Sequence, residues 1–116
     1  MRLTEVSFPT GVPIDGYGPG FFRIGGAVIR GAALVLPAGP APWANGDPAP
    51  FLAAAAAIDV LFVGTGPEIA PVPAAFRAAL EAAGIGVEIM NSPAAARTYN
   101  VCLAEGRRVA AALIPV

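Results

Sequence analysis

The chain has 116 residues, of which 56% are hydrophobic and 13% charged, with a formal net charge of −1. This composition excludes a disordered solvating chain, which is poor in apolar residues and rich in charge. Histidine and lysine are both absent, so a histidine-based nucleophile system, an imidazole metal ligand, a phosphate-binding lysine and a Schiff-base lysine are excluded.

The first half of the sequence, up to about residue 50, is rich in glycine and proline and predicts short antiparallel strands. Its apolar runs FFRIGG, AVIRG and ALVLP are each bounded by glycine or proline, which is typical of a β meander. The Gly25-Gly26 pair between two runs favours a tight hairpin turn. The segment from Pro37 to Pro50 carries five prolines, so we expect a loop or an edge strand there.

Residues 51–116 alternate helix-like and strand-like patterns. FLAAAAA predicts a short helix, and VLFVG predicts a strand that is buried on both faces. A helix near residues 73–83 begins at Pro73 and ends at Gly84, and the strand GVEIM follows. Asn91 or Ser92 then caps a third helix, and RVAAALIPV forms the last strand.

These patterns predict an α/β fold with a single compact domain spanning residues 1–116. The β-α-β-α-β order of the second half implies neighbouring parallel strands. We expect three layers, in which the antiparallel meander packs beside a mixed sheet whose βαβαβ half is C-terminal.

The sequence also bears on compartment and partners. The apolar stretch from Phe51 to Gly64 is interrupted by Asp59 and is shorter than the roughly 18–20 residues that span a bilayer. The start of the chain lacks the apolar core of a signal peptide, and the single Cys102 cannot form an internal disulfide. We therefore expect a cytoplasmic protein with no membrane insertion, no metal and no cofactor. The near-neutral net charge provides no basic surface of the kind that binds nucleic acid, so we expect no nucleic-acid partner.

The GTG turn, Gly64, Thr65 and Gly66, is the first candidate site. It follows the VLFVG strand, and ligands of open α/β sheets bind at the carboxyl ends of strands. Arg97 and Asn100 lie on one stripe of the third helix and complete a candidate site for a small anion or other small ligand. The alternative is a purely structural turn, because the third glycine of a dinucleotide fingerprint is missing.

A second candidate is an interaction surface that involves Trp43, Arg107 and Arg108. Arginines in and after the third helix can bind a carboxylate, a phosphate or an acidic partner surface. They can equally form a solvated patch near a helix C-terminus. Trp43, within PAPWANG, is either a lid on the core or a contact for a partner.

Two further residues have a chemical and a structural interpretation. If the sheet face that carries Glu88 is covered, this carboxylate is a general acid or base. Otherwise it pairs with an arginine, such as Arg97 or Arg108, or lies at an edge open to water. Cys102 is interpreted as an apolar packing residue, because nothing nearby in the sequence activates a thiolate. No residue is assigned a catalytic role.

The segments GYGPGFFRIGG, VLFVGTG and GIGVEIMNSPAAARTYNVCLAEGRRVAAALIP, with Trp43 between the first two, resemble a small family of mostly uncharacterised bacterial and archaeal proteins. The same domain occurs in a mitochondrial assembly factor of respiratory complex I and in an adipogenesis-associated protein. The resemblance implies a three-layer β and β/α fold and a bacterial protein, and it carries over no catalytic residue. Where the family pattern has Asp-Thr, this chain has Asn91-Ser92, and both pairs cap helices.

Three functions follow from these observations. The first is a non-catalytic protein-interaction or assembly factor, with respiratory-complex subunits as partners that the resemblance implies. The second is a small-ligand binder or unassigned enzyme that uses Gly64–Gly66 with Arg97. The third is a structural module that forms a homodimer through a sheet edge.

Overall fold

The computed structural model describes residues 11–116, which contain eight strands and three helices. In chain order the elements are β1 (Ile14–Gly18), β2 (Phe21–Ile24), β3 (Ala27–Arg30), β4 (Ala33–Leu36), β5 (Gly39–Pro42), α1 (Ala49–Ala53), β6 (Val60–Gly64), α2 (Ala74–Ala82), β7 (Gly86–Met90), α3 (Ser92–Ala104) and β8 (Val109–Leu113). The predicted mixed α/β class and all six strands predicted from apolar runs are confirmed. The proline-rich segment, for which a loop or an edge strand was expected, contains the edge strand β5.

The helix predicted over FLAAAAA is shorter than expected. α1 ends at Ala53, and a single 3-10 turn over Ala55–Ala57 follows it. Alanine has the highest helix propensity, but a helix this short is not stable without tertiary packing. The alanines offer little surface to bury, whereas Ile58 turns to an extended backbone and is 2% exposed. Burial of Ile58, two residues before β6, therefore ends the helical segment.

The strands form two sheets. β1, β2 and β3 make an antiparallel sheet in that order, and Gly25 and Gly26 form the β2–β3 turn with φ of 56° and 85°. Positive φ at both positions favours glycine, which confirms the predicted hairpin. The larger sheet has the order β5-β4-β8-β6-β7, in which β6 is parallel to both β7 and β8.

β4 and β5 depart from the expected arrangement, because they join the larger sheet rather than the meander. β4 pairs antiparallel with β8, and three of its four residues are buried. Gly31, whose φ is 81°, allows the chain to change direction between β3 and β4. The fully apolar ALVL segment thus becomes an interior strand, since a strand buried on both faces requires apolar residues throughout.

Two apolar cores lie on the two faces of the five-stranded sheet. On one face, α3 and the three-stranded sheet cover Phe62, Val109 and Ala111, and Phe22, Tyr99 and Leu103 fill the space between the layers. On the other face, Trp43, α1 and α2 cover Leu61, Val63 and Ala110. The described part of the chain therefore has three layers, as the sequence predicts.

Three polar side chains hold α3 in place. Asn91 caps the helix, because its Oδ1 accepts a hydrogen bond from the Ala94 amide at 2.8 Å. The Tyr99 hydroxyl donates to the Val12 carbonyl at 2.7 Å. The Asn100 side chain accepts from the Ile14 amide at 2.9 Å and donates to the Ile14 carbonyl at 2.8 Å. The bonds of Tyr99 and Asn100 join α3 to the start of the three-stranded sheet.

Tyr99 should make the stability of the protein fall at high pH. Its side chain is 0% exposed, and burial raises the pKa of its hydroxyl. A tyrosine in the unfolded chain ionises at about pH 10 while folded Tyr99 stays protonated, so the free energy of unfolding falls above that pH by up to about 1.4 kcal/mol per unit. Urea unfolding at a series of pH values measures this slope.

The Tyr99→Phe variant should lose about 1 kcal/mol at neutral pH, because the hydrogen bond to Val12 is removed. It should also lose the part of the high-pH slope that Tyr99 contributes. Tyr17→Phe is the matched control, since Tyr17 is 43% exposed, and it should keep the slope. Equal slopes in the two variants would contradict the assignment.

Candidate functional site

The backbone amides of the GTG turn are occupied by bonds within the fold. The Thr65 amide donates to the Met90 carbonyl at 2.9 Å, and the Gly66 amide donates to Ser92 Oγ at 2.9 Å. The Ser92 amide donates back to the Gly66 carbonyl at 2.8 Å. An anion at this turn would compete with these bonds for the amides of Thr65 and Gly66.

Ser92 connects the turn to the end of β8. Its hydroxyl donates to the Ile114 carbonyl at 2.5 Å while it accepts from Gly66, and the residue is 1% exposed. Ser92 is thus a buried polar residue whose hydroxyl both donates and accepts a hydrogen bond. The sequence indicated Ser92 only as a candidate helix cap, and Asn91 takes that role. No local sequence signal reveals this second role, because its partners Gly66 and Ile114 are 26 and 22 residues away.

Both glycines of the turn are required by geometry. A Cβ on Gly64 would lie 2.7 Å from both Cα and Oγ of Ser92. Gly66 has φ of 104°, a conformation that L side chains rarely adopt. A purely structural turn, the alternative to a ligand site, therefore explains why both positions are glycine.

The other predicted ligand residues, Arg97 and Asn100, lie on α3 and do not line the cavity to which Thr65 contributes. Asn100 uses both ends of its amide on Ile14. Arg97 is exposed and makes no hydrogen bond or ion pair with residues 11–116. A ligand site that combines Gly64–Gly66 with Arg97 and Asn100 remains a prediction.

Trp43 belongs to the core rather than to an interaction surface. Its side chain is 7% exposed, and its ring centroid lies 6.0 Å from that of Phe51 and 5.9 Å from that of Phe76. Its Nε1 donates to the Asp47 carbonyl at 2.9 Å. The packing alternative therefore holds for Trp43, because a buried ring is not accessible to a partner.

Arg107 and Arg108 are neighbours in sequence but have different partners. Arg108 is exposed and pairs with Asp59, with Nη2–Oδ1 and Nε–Oδ2 distances of 2.6 and 3.2 Å, and donates to the Ala56 carbonyl at 2.9 Å. The hydrogen bond from Arg108 lowers the pKa of Asp59. Arg107 instead donates from Nη1 to Cys102 Sγ at 3.4 Å. Their role in binding a partner remains a prediction.

Glu88 lies at the edge of the sheet and is exposed to solvent. Glu88 therefore lies at a strand edge open to water, one of the two structural alternatives. It lacks the buried environment that would raise the pKa of a general acid or base. Arg108 pairs with Asp59 instead of Glu88, and Cys102 is a buried free thiol on the core-facing side of α3.

Two cavities in the described part of the chain bear on the candidate sites. The first, about 370 Å³, lies at the carboxyl ends of β6 and β8 and is lined mainly by Ala70–Pro73 and Ile114, with Thr65 and Asn45. The second, about 260 Å³, lies between the β6–β7 pair and α3. Neither brings Thr65 together with Arg97 or Asn100. The second carries the charged groups and was not predicted from the sequence.

The outer strands of the larger sheet are poor surfaces for strand addition. β5 carries Pro40 and Pro42, which cannot donate to a neighbouring strand. At the other edge, Arg77 Nη2 donates to the Val87 carbonyl of β7 at 3.3 Å. These features protect the edges, in the way that native sheets avoid pairing with other chains.

Residues 14–114 match the model of a family described as proteins of unknown function, DUF498/DUF598. The chain belongs to this family. It is 49% identical to an uncharacterised protein of Rhodobacter capsulatus, over 100% of this chain and 94% of that protein. It is 32% identical to the rat NADH dehydrogenase [ubiquinone] 1 alpha subcomplex assembly factor 3, over 99% of this chain and 66% of that protein.

The fold is shared with solved structures of similar sequence. A crystal structure described as an outer membrane protein of Bartonella henselae has a TM-score of 0.82 at 36% identity, and the match covers 93% of this chain and 98% of that one. None of the helices in residues 11–116 of the present chain is long and apolar enough to cross a membrane.

Proposed function

We propose that this chain is a non-catalytic protein-interaction factor that acts in the bacterial cytoplasm in the assembly of a respiratory complex. The supporting observation is the 32% identity to the rat NADH dehydrogenase assembly factor over 99% of this chain. The similar region accounts for 66% of that relative, so this domain is the part of the assembly factor that the proposal concerns. Cys102 is a free thiol, which suits a reducing compartment.

The outer face of the three-stranded sheet is the surface that we assign to the partner. In β2, Phe22 and Ile24 are buried against the core, so Phe21 and Arg23 point outward. Val28 is the cross-strand partner of Arg23, and Arg30 is that of Phe21. We call these four residues the arginine face.

The charges of the arginine face indicate the chemistry of the partner. Arg23 and Arg30 are exposed, and neither makes an ion pair or side-chain hydrogen bond with the residues that the structure describes. Val28 is 48% exposed between them. Arginine is enriched at interfaces, and complementary charge gives specificity and fast association. The partner surface should therefore be acidic around an apolar centre.

Affinity purification from the native host tests this proposal. The tagged chain is recovered from gently solubilised membranes, and co-purifying proteins are identified by mass spectrometry. NADH dehydrogenase subunits should be enriched with the wild-type chain and lost with Arg23→Glu/Arg30→Glu. Arg97→Glu is the control for charge reversal, because Arg97 is an exposed arginine outside the arginine face that makes no hydrogen bond or ion pair with residues 11–116, and it should retain the subunits.

Three other outcomes of the purification would distinguish between the alternative functions and surfaces. Recovery of the folded chain without respiratory subunits would contradict the assembly role. Loss of the subunits with Arg107→Glu/Arg108→Glu but not with Arg23→Glu/Arg30→Glu would keep the role and move the surface to the arginines after α3. Elution of the chain as a dimer without other proteins would favour the homodimer alternative.

A further inference from the structure

The turn between β5 and α1 contains an asparagine that is followed by glycine. The chain has no glutamine, and its asparagines are Asn45, Asn91 and Asn100, of which only Asn45 precedes a glycine. Residues 44–47 form a β-turn, because the Asp47 amide donates to the Ala44 carbonyl at 2.9 Å. Gly46 is the third residue of this turn and has φ of 88°, a conformation that favours glycine there.

The side chain of Asn45 and the backbone amide of Gly46 are not held by the fold. Asn45 is exposed and its side chain makes no hydrogen bond with residues 11–116, and the Gly46 amide donates none to them. The other two asparagine side chains are fixed. Asn91 caps α3, and Asn100 uses both ends of its side-chain amide on Ile14. Asn45 is therefore the asparagine whose side chain is free to react.

The Gly46 nitrogen is an accessible nucleophile beside the Asn45 side chain. Apart from its chain neighbours, no atom lies within 4 Å of the position that a Cβ of Gly46 would take, so the turn has room to change its backbone angles. The residues after the other asparagines differ. The Ser92 amide donates to the Gly66 carbonyl, and Val101 lies inside α3, where backbone amides are bonded within the helix. Proximity of a free nucleophile to its electrophile is what accelerates an intramolecular reaction.

We propose that Asn45 is a modification site, at which the chain converts its own asparagine to aspartate and isoaspartate. The Gly46 nitrogen attacks Cγ of Asn45, so a bond forms between these two atoms and the bond from Cγ to Nδ2 breaks. The proton of the Gly46 amide leaves with Nδ2 as ammonia, and a cyclic succinimide remains. Water then adds to one of the two ring carbonyls. Opening at Cγ gives aspartate, and opening at the backbone carbonyl gives isoaspartate, so water is the co-reactant.

The product changes the cavity at the carboxyl ends of β6 and β8, which Asn45 and Gly46 help to line. No residue that lines this cavity of about 370 Å³ is charged, so the reaction gives it a negative charge. Isoaspartate also lengthens the backbone of the turn by one carbon, next to the Asp47 carbonyl that accepts the bond from Trp43 Nε1. The modification is independent of the assembly role, because the turn lies outside the arginine face.

Mass spectrometry of tryptic peptides tests the proposal, because each asparagine falls on a separate peptide. Trypsin cuts after arginine in this lysine-free chain, and the peptides 31–77, 78–97 and 98–107 each carry one asparagine. The folded full chain is incubated near neutral pH and sampled over several weeks. Replacement of the amide by a carboxyl group raises the mass of a peptide by about 1 Da. Peptide 31–77 should convert at least about tenfold faster than the other two, a barrier lower by about 1.4 kcal/mol.

Two variants assign the reaction to Asn45. In Asn45→Gln the longer side chain must close a larger and less favoured ring, so peptide 31–77 should keep its mass. The glutamine side chain is exposed as that of Asn45 is, so the variant should fold. Asn45→Asp carries the carboxylate from the start, and on isoelectric focusing the aged wild-type chain should move to its position.

Two results would overturn the proposal. One is an unchanged mass of peptide 31–77 in the folded chain, whether or not the urea-unfolded chain converts over the same period. The other is conversion of peptide 31–77 at a rate no higher than that of peptide 98–107. Either outcome leaves the assembly role untouched, since that role is tested by a different surface and a different measurement.

Discussion

Trp43→Ala should lower the free energy of unfolding by about 3–5 kcal/mol, the range for removal of a large buried aromatic side chain. The ring fills the core beneath α1 and α2 and contacts Phe51 and Phe76. Its removal leaves a cavity and breaks the hydrogen bond from Nε1 to Asp47. Because domains of this size are stable by only about 5–15 kcal/mol, the loss should be obvious in urea unfolding.

Ile69→Ala is the matched control for the tryptophan. Ile69 is also a large apolar residue, but it is 66% exposed in the loop after β6, so its loss should change stability by less than about 0.5 kcal/mol. If Trp43→Ala had the small effect expected of Ile69→Ala, Trp43 would be a surface contact and not a core residue. The experiment therefore decides between the two interpretations of Trp43 that the sequence leaves open.

Gly64→Ala should destabilise the protein by about 3 kcal/mol, at the upper end of the range for overpacking a core. The added methyl group meets the Cα of Ser92 at 2.7 Å and the side chain of Leu113 at 3.0 Å. Backbone cannot move away as a flexible side chain can, so α3 must shift or β6 must bend. Thermal and urea unfolding measure the loss.

Gly16→Ala provides the comparison for Gly64. Gly16 lies in β1, does not have a positive φ, and has no atom within 4 Å of the position that a Cβ would take. Alanine there should be neutral or stabilising by up to about 1 kcal/mol, since glycine costs more conformational entropy on folding. Equal effects of the two substitutions would show that the contact between Gly64 and Ser92 is not tight.

The local patterns of the sequence predict the elements well, and long-range contacts account for what they miss. The strand over VLFVG and the hairpin at Gly25-Gly26 depend on neighbouring residues, so their periodicity and turn chemistry suffice. Ser92 takes its role from Gly66 and Ile114, which are 26 and 22 residues away. No window of adjacent residues contains that information.

The candidate sites were harder to predict for the same reason. The GTG turn is present at the carboxyl end of β6, but its amides are occupied by partners that belong to other elements. The cavity that carries charge needs Glu88 on β7 and Arg107 after α3, two residues that only the packing of the helix on the sheet brings together. The sequence left open whether the sheet face that carries Glu88 is covered.

The position of β8 has a consequence for how the chain folds during synthesis. This strand is the last of the described elements along the chain, yet it lies between β4 and β6 near the centre of the larger sheet. While the ribosome is still adding residues 109–113, β4 and β6 each lack a neighbour and expose apolar faces. Such nascent chains present unpaired strands that other chains can join. The larger sheet can therefore be completed only once β8 has been translated and can pair with β4 and β6.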